Sequence, residues 1–151
     1  MTMALVLSCV LAFSVVAIAA IKKKDVPESI SEIAYIIPHW AFSSWIAIVG
    51  ILLMPDMMDS LNEDRQWIGF LSIVGLMLVA SSAYYKTEAK ALHYVGGCLC
   101  AACASAVVAI IQPCLLFIWI AYAIVMIKPP RSWLFWGEVV IYALLVVALS
   151  I

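Results

Sequence analysis

Along this chain the hydrophobic residues come in long, nearly unbroken blocks rather than at the three-to-four-residue spacing of a half-buried helix. Residues 3–21, 36–54, 67–84 and 133–151 are each almost wholly apolar. A helix that is apolar all round must be surrounded by apolar material. A bilayer core about 30 Å thick takes about 20 helical residues, so each block predicts one crossing. The stretch 91–127 is too long for one. At about 1.5 Å per residue it would make roughly 55 Å of helix, and even a tilt of about 40° absorbs only about 26 residues. Gln112-Pro113 interrupts it, which predicts crossings at 91–111 and 114–127 with the turn at 112–114. The second is short, and Lys128 would have to snorkel to the interface. The pattern thus predicts an all-α, polytopic membrane protein, a single integral membrane domain over residues 1–151 built as a six-transmembrane-helix bundle.

The polar positions test that count. Six crossings place 22–35, 85–91 and 128–132 on one side, with 55–66 and the 112–114 turn on the other. The first set holds Lys22, Lys23, Lys24, Lys86, Lys90, Lys128 and Arg131. The second holds Arg65 alone, among Asp56, Asp59, Glu63 and Asp64. Short loops rich in Lys and Arg stay in the cytoplasm, so both termini are expected outside, in a bacterial inner (plasma) membrane. Five crossings would move Lys128 and Arg131 to the acidic side.

Composition agrees. The chain is 68% hydrophobic and 11% charged, against about 25% charged residues in a soluble domain. A net charge of −1 argues against nucleic acid as a partner, because that role demands a basic face. The five cysteines lie inside apolar runs, where they act as small packing residues rather than as a disulfide framework. Ala17-Ile18-Ala19 imitates a signal-peptide cleavage site, yet no Lys or Arg precedes the run and the run is long for such a segment. A retained helix is expected. Ser29-Ile30-Ser31-Glu32 fits a capping box, in which serine and glutamate satisfy each other's backbone amides. It predicts an interfacial element before the second helix, with Pro38 either kinking that helix or starting it.

Candidate chemistry gathers at one membrane face. Glu32, His39, His93 and Glu138 all fall at similar depth in the six-helix arrangement. Glu138 lies seven residues past Arg131, roughly 10 Å inward, where an ionisable group costs on the order of 2–3 kcal/mol unless paired or wetted. His93 or His39 is its expected partner. A hydrated polar cavity lined by these four residues is expected, with Lys22, Lys23, Lys24, Lys86, Lys90, Lys128 and Arg131 ringing its mouth to bind anionic lipid headgroups, Lys86, Lys90 and Arg131 foremost. Three other chemistries bear on polar and sulfur-bearing residues of the chain. Ser31, His93 and Glu138 supply the residue types of an intramembrane Ser/His/Glu lipid hydrolase, without a spacing that enforces its geometry. Two histidines without a third ligand do not specify a metal or haem site. Cys100-x-x-Cys103 has no matching pair. No cofactor or metal is expected. The acidic loop lacks the Asp-x-Asp-x-Asp-Gly register of a calcium loop.

Three segments, VPESISEIAYIIPHWAF (26–42), YYKTEAKALHYVGG (84–97) and FWGEVVIYALL (135–145), together resemble the DRAM/Sfk-type family of small six-span membrane proteins, including its bacterial relatives. Ile30-Ser31-Glu32 with Phe42, His93 with Gly96 and Gly97, and Glu138 carry the resemblance. It implies a six-helix bundle connected with lipid organisation, lipid trafficking or stress responses, with no established enzymatic reaction. It would also place the first loop outside, where the lysines place it in the cytoplasm. The expected function is lipid-headgroup binding or membrane organisation. The alternatives are the hydrolase, or a structural subunit joining a homo-oligomer or a larger membrane complex through Gly97, Ala101, Ala104 and Ser105.

Overall fold

A computed structural model describes residues 2–83 and 89–151. Among them lie α1 (Met3–Lys23), α2 (His39–Asp59), α3 (Gln66–Ser81), α4 (Lys90–Ile111), α5 (Phe117–Val125) and α6 (Trp133–Ser150). Short 3-10 segments occupy Ile30–Tyr35, Glu63–Arg65 and Pro113–Leu116, and the described residues contain no strand. Four helices, α1, α2, α4 and α6, are long and apolar enough to cross a membrane. The protein is an all-α integral membrane protein.

Element boundaries differ from the sequence expectation where backbone chemistry intervenes. The second helix begins at His39 rather than at 36, because Pro38 stands as its N-cap in an extended conformation (φ −54°, ψ 137°). It also runs on to Asp59, through Pro55. The block expected as a helix over 114–127 is divided. Pro113 opens a 3-10 turn, and the α-helix that follows has only nine residues. The third block's expected end at Tyr84 falls outside the described residues.

Packing proceeds from neighbour to neighbour, α1 on α2, α2 on α3, α3 on α4 and α4 on α6, while α5 buries none of its residues. Hydrogen bonds between helices fix their directions. Thr2 Oγ1 donates to Asp56 Oδ2 (2.6 Å), joining the start of α1 to the end of α2. Ser43 Oγ donates to the Ala80 carbonyl (2.7 Å), joining the start of α2 to the end of α3. Ser72 Oγ reaches the Cys100 carbonyl (3.3 Å) between α3 and α4. Ser8 Oγ and Tyr142 Oη pair at 2.8 Å between α1 and α6. Each such bond offers a hydroxyl a partner where the surrounding hydrocarbon offers none.

The α3–α4 crossing is the tightest. A Cβ on Gly75 would stand 2.5 Å from the Cys100 amide nitrogen and 2.7 Å from the Gly96 carbonyl oxygen. A Cβ on Gly96 would stand 2.8 Å from the Gly75 carbonyl oxygen. Only two facing glycines let the backbones approach this closely. The segment between α1 and α2 is also part of the core, with Ile33 and Ala34 fully buried beside Phe42.

Candidate functional site

The polar residues singled out above meet around that connecting segment. Helix α1 ends in two lysines, and Lys24 turns the chain in the left-handed conformation (φ 60°, ψ 23°). Ser29 then caps the 3-10 segment, its Oγ accepting the Glu32 amide at 3.1 Å. This is half of the predicted capping box. The Glu32 carboxylate reaches back one residue farther than expected, to the Glu28 amide (2.6 Å), and the same oxygen takes Lys23 Nζ at 2.8 Å. The turn is thereby closed on itself and tied to the end of α1.

Two bonds tie it to α6. The Phe135 amide donates to the Glu28 carbonyl (3.0 Å). Phe135 lies in the first turn of α6, where amides have no partner within the helix. The Ile30 amide donates to Glu138 Oε2 at 2.5 Å. That bond gives the partly buried carboxylate a donor within the protein.

One further bond ties the segment to α4. Ser31 Oγ lies 2.7 Å from His93 Nε2. On the other side of the ring, Nδ1 lies 3.2 Å from both the Ser82 carbonyl oxygen and Ser82 Oγ. A carbonyl can only accept. The single hydroxyl proton of Ser82 is directed to the Leu78 carbonyl at 2.5 Å, so Ser82 Oγ also accepts toward the ring. Nδ1 therefore carries the imidazole proton, Nε2 presents its lone pair, and Ser31 donates to it. Ser31 and His93 are 8% and 5% exposed.

The expected pairing of His93 with Glu138 is not formed, and neither is the Ser31, His93, Glu138 order of a triad. A 3-10 segment turns about 120° per residue. Ile30 thus aims its amide at α6 while Ser31 aims its hydroxyl at α4, and the acid and the imidazole hold adjacent residues from different sides. His39 sets its ring edge-on to Tyr35, with centroids 5.9 Å apart. Lys90 and Arg131 are exposed, and Lys86 lies outside the described residues. Glu32, His93 and Glu138 each bond protein groups that bind the connecting segment to the bundle, where the sequence suggested ligands lining a cavity.

Sequence reasoning missed Ser82. It acts in part through its backbone carbonyl, which every residue possesses, so its identity gives no signal. The Ser8–Tyr142 pair was more accessible, since both are polar residues well inside apolar runs. Among the described residues no group of three His, Cys, Asp or Glu side chains gathers as a metal site. Cys100 Sγ sits 3.8 Å from Ser72 Oγ at the α3–α4 contact. No family model, characterised protein or solved structure matches this chain.

Proposed function

We propose that the chain crosses the membrane six times and organises lipids by binding anionic headgroups at a basic rim. The inter-helix bonds support the count. Helices α1 to α4 alternate in direction, so α4, about 33 Å long at 22 residues, ends far from His93. Yet α6 begins beside Glu28, at the His93 end. Residues 112–132 must therefore travel back across the bundle. Tyr122 Oη bonds the Trp133 carbonyl, and Leu115 and Ile118 share an apolar groove with Val140, Leu144 and Val147. Both features have α5 running antiparallel to α6. Residues 113–125 supply roughly 20 Å of helix, and 126–132 complete the passage.

The observation that carries the lipid reading is the convergence of three distant basic segments on one end of the bundle. The segment 28–31 bonds both α4 and α6, which gathers the exposed Lys22, Lys24, Lys90 and Arg131 around it. Each such charge attracts anionic headgroups by about 1 kcal/mol. Beneath them Glu32, His93 and Glu138 serve as framework, holding the rim in one shape. The resemblance of 26–42, 84–97 and 135–145 to the DRAM/Sfk-type proteins agrees with this reading.

Native mass spectrometry of gently extracted protein tests it. Lys22→Gln, Lys24→Gln, Lys90→Gln and Arg131→Gln combined should strip bound phosphatidylglycerol from a chain of unchanged thermal stability. Identical lipid retention in both proteins would refute the rim. The crossing count is tested separately with a membrane-impermeant maleimide on Lys24→Cys, Asn62→Cys and Lys128→Cys. Positions 24 and 128 should react from one side and 62 from the other. Positions 24 and 128 reacting from opposite sides would overturn six crossings.

A further inference from the structure

We infer that Ser31 is a nucleophile with His93 as its general base, acting on a carboxylic ester of a membrane lipid. The hydrogen-bond geometry carries this inference. A serine becomes nucleophilic when its hydroxyl proton has an acceptor within about 2.6–3.2 Å and when that acceptor is held in the correct tautomer by a third group. Ser31 Oγ and His93 Nε2 meet the first condition at 2.7 Å. The Ser82 carbonyl and hydroxyl meet the second at Nδ1, the position that a carboxylate occupies in the familiar triad. A ring held on both sides keeps its lone pair directed at Ser31 without the acid that the sequence suggested. Glu138 has the different task of fixing the nucleophile-bearing turn through the Ile30 amide.

The chemistry closes without an outside oxidant or reductant. Ser31 Oγ bonds to the ester carbonyl carbon while its proton passes to His93 Nε2. Collapse of the tetrahedral adduct breaks the bond to the alcohol, which takes that proton and leaves Ser31 acylated. Water then gives a proton to Nε2 and adds to the acyl carbon. Release of the carboxylic acid returns the proton to Ser31. Ser31 is only 8% exposed, so acylation requires the turn that Glu138 and Lys23 hold to open. The substrate class, though not the nucleophile, rests on the lipid reading above.

A fluorophosphonate probe on the full chain in phosphatidylglycerol–phosphatidylcholine vesicles tests both parts. Mass mapping of the wild-type protein should place the adduct on Ser31, which requires no variant to fold. His93→Gln should slow labelling by about 100-fold, the lower end of general-base effects, far more than the loss of its structural bonds lowers the melting temperature, with the helix content by circular dichroism retained. Free fatty acid should be released from the vesicles by wild type and not by Ser31→Ala. An unlabelled Ser31 in folded wild type, or labelling indifferent to His93→Gln, would overturn the nucleophile. Labelling without fatty acid release would overturn the lipid ester as substrate and leave the headgroup-retention result standing by itself.

Discussion

Two adjacent glycines in α4 should respond oppositely to the same substitution. An alanine Cβ at Gly96 would lie 2.7 Å from Leu78 Cβ, 2.8 Å from the Gly75 carbonyl oxygen and 3.1 Å from the Val79 amide nitrogen. None of these atoms is the free end of a side chain, so α3 and α4 must part by several tenths of an ångström or more. Overpacking of this kind costs about 1–3 kcal/mol. Parting the helices also stretches the Ser72–Cys100 and Ser82–His93 bonds, already 3.3 and 3.2 Å, and an interhelical bond in a membrane contributes about 0.6 kcal/mol. Against this, replacing glycine in a helix interior returns up to about 1 kcal/mol. Gly96→Ala should destabilise by about 1–3 kcal/mol. At Gly97 an added Cβ meets nothing within 4 Å, so Gly97→Ala keeps only the helix gain and should be neutral or stabilising by up to about 1 kcal/mol. Reversible unfolding in mixed micelles titrated with dodecyl sulfate, followed by circular dichroism, measures both. The reasoning fails if the two variants differ by less than about 0.5 kcal/mol, or if Gly97→Ala is the more damaging.

Three further outcomes follow from the same contacts. Glu138→Ala leaves the half-buried Ile30 amide without its acceptor and should cost about 1–3 kcal/mol, whereas Glu138→Gln retains a carbonyl oxygen there and should cost clearly less in the same titration. A double-mutant cycle of Ser8→Ala with Tyr142→Phe should give a coupling near about 0.6 kcal/mol and no more than about 1.7, the span found for membrane hydrogen bonds; zero coupling would mean the 2.8 Å pair contributes nothing. Lys24→Gly should raise stability by about 1 kcal/mol, because a residue with a Cβ is strained at φ 60°. A melting temperature lowered by Lys24→Gly would show that the lysine's own contacts outweigh that strain.

The sequence by itself determined the solvent of this protein and much of its helix layout. Hydropathy and block length depend only on composition along the chain, and a hydrocarbon core accepts few backbones other than helices. The 91–127 stretch had to break at Gln112-Pro113 for the same reason, since proline removes an amide and fixes φ. Ser29 as the cap of a turn before the second helix was legible too, because capping is a contact three residues long. Tertiary structure decided everything that depends on which distant residues face one another. Ser31 and His93 are 62 positions apart and Ile30 and Glu138 are 108 apart, and no local pattern distinguishes that pairing from His93 with Glu138. The rotation of one 3-10 turn sends successive residues to α6 and α4, and the Ser82 carbonyl that orients the ring belongs to a backbone group present at every position. Gly96 and Gly97 are alike as letters. Only the face that α4 turns toward α3 makes one of them a close contact and leaves the other open.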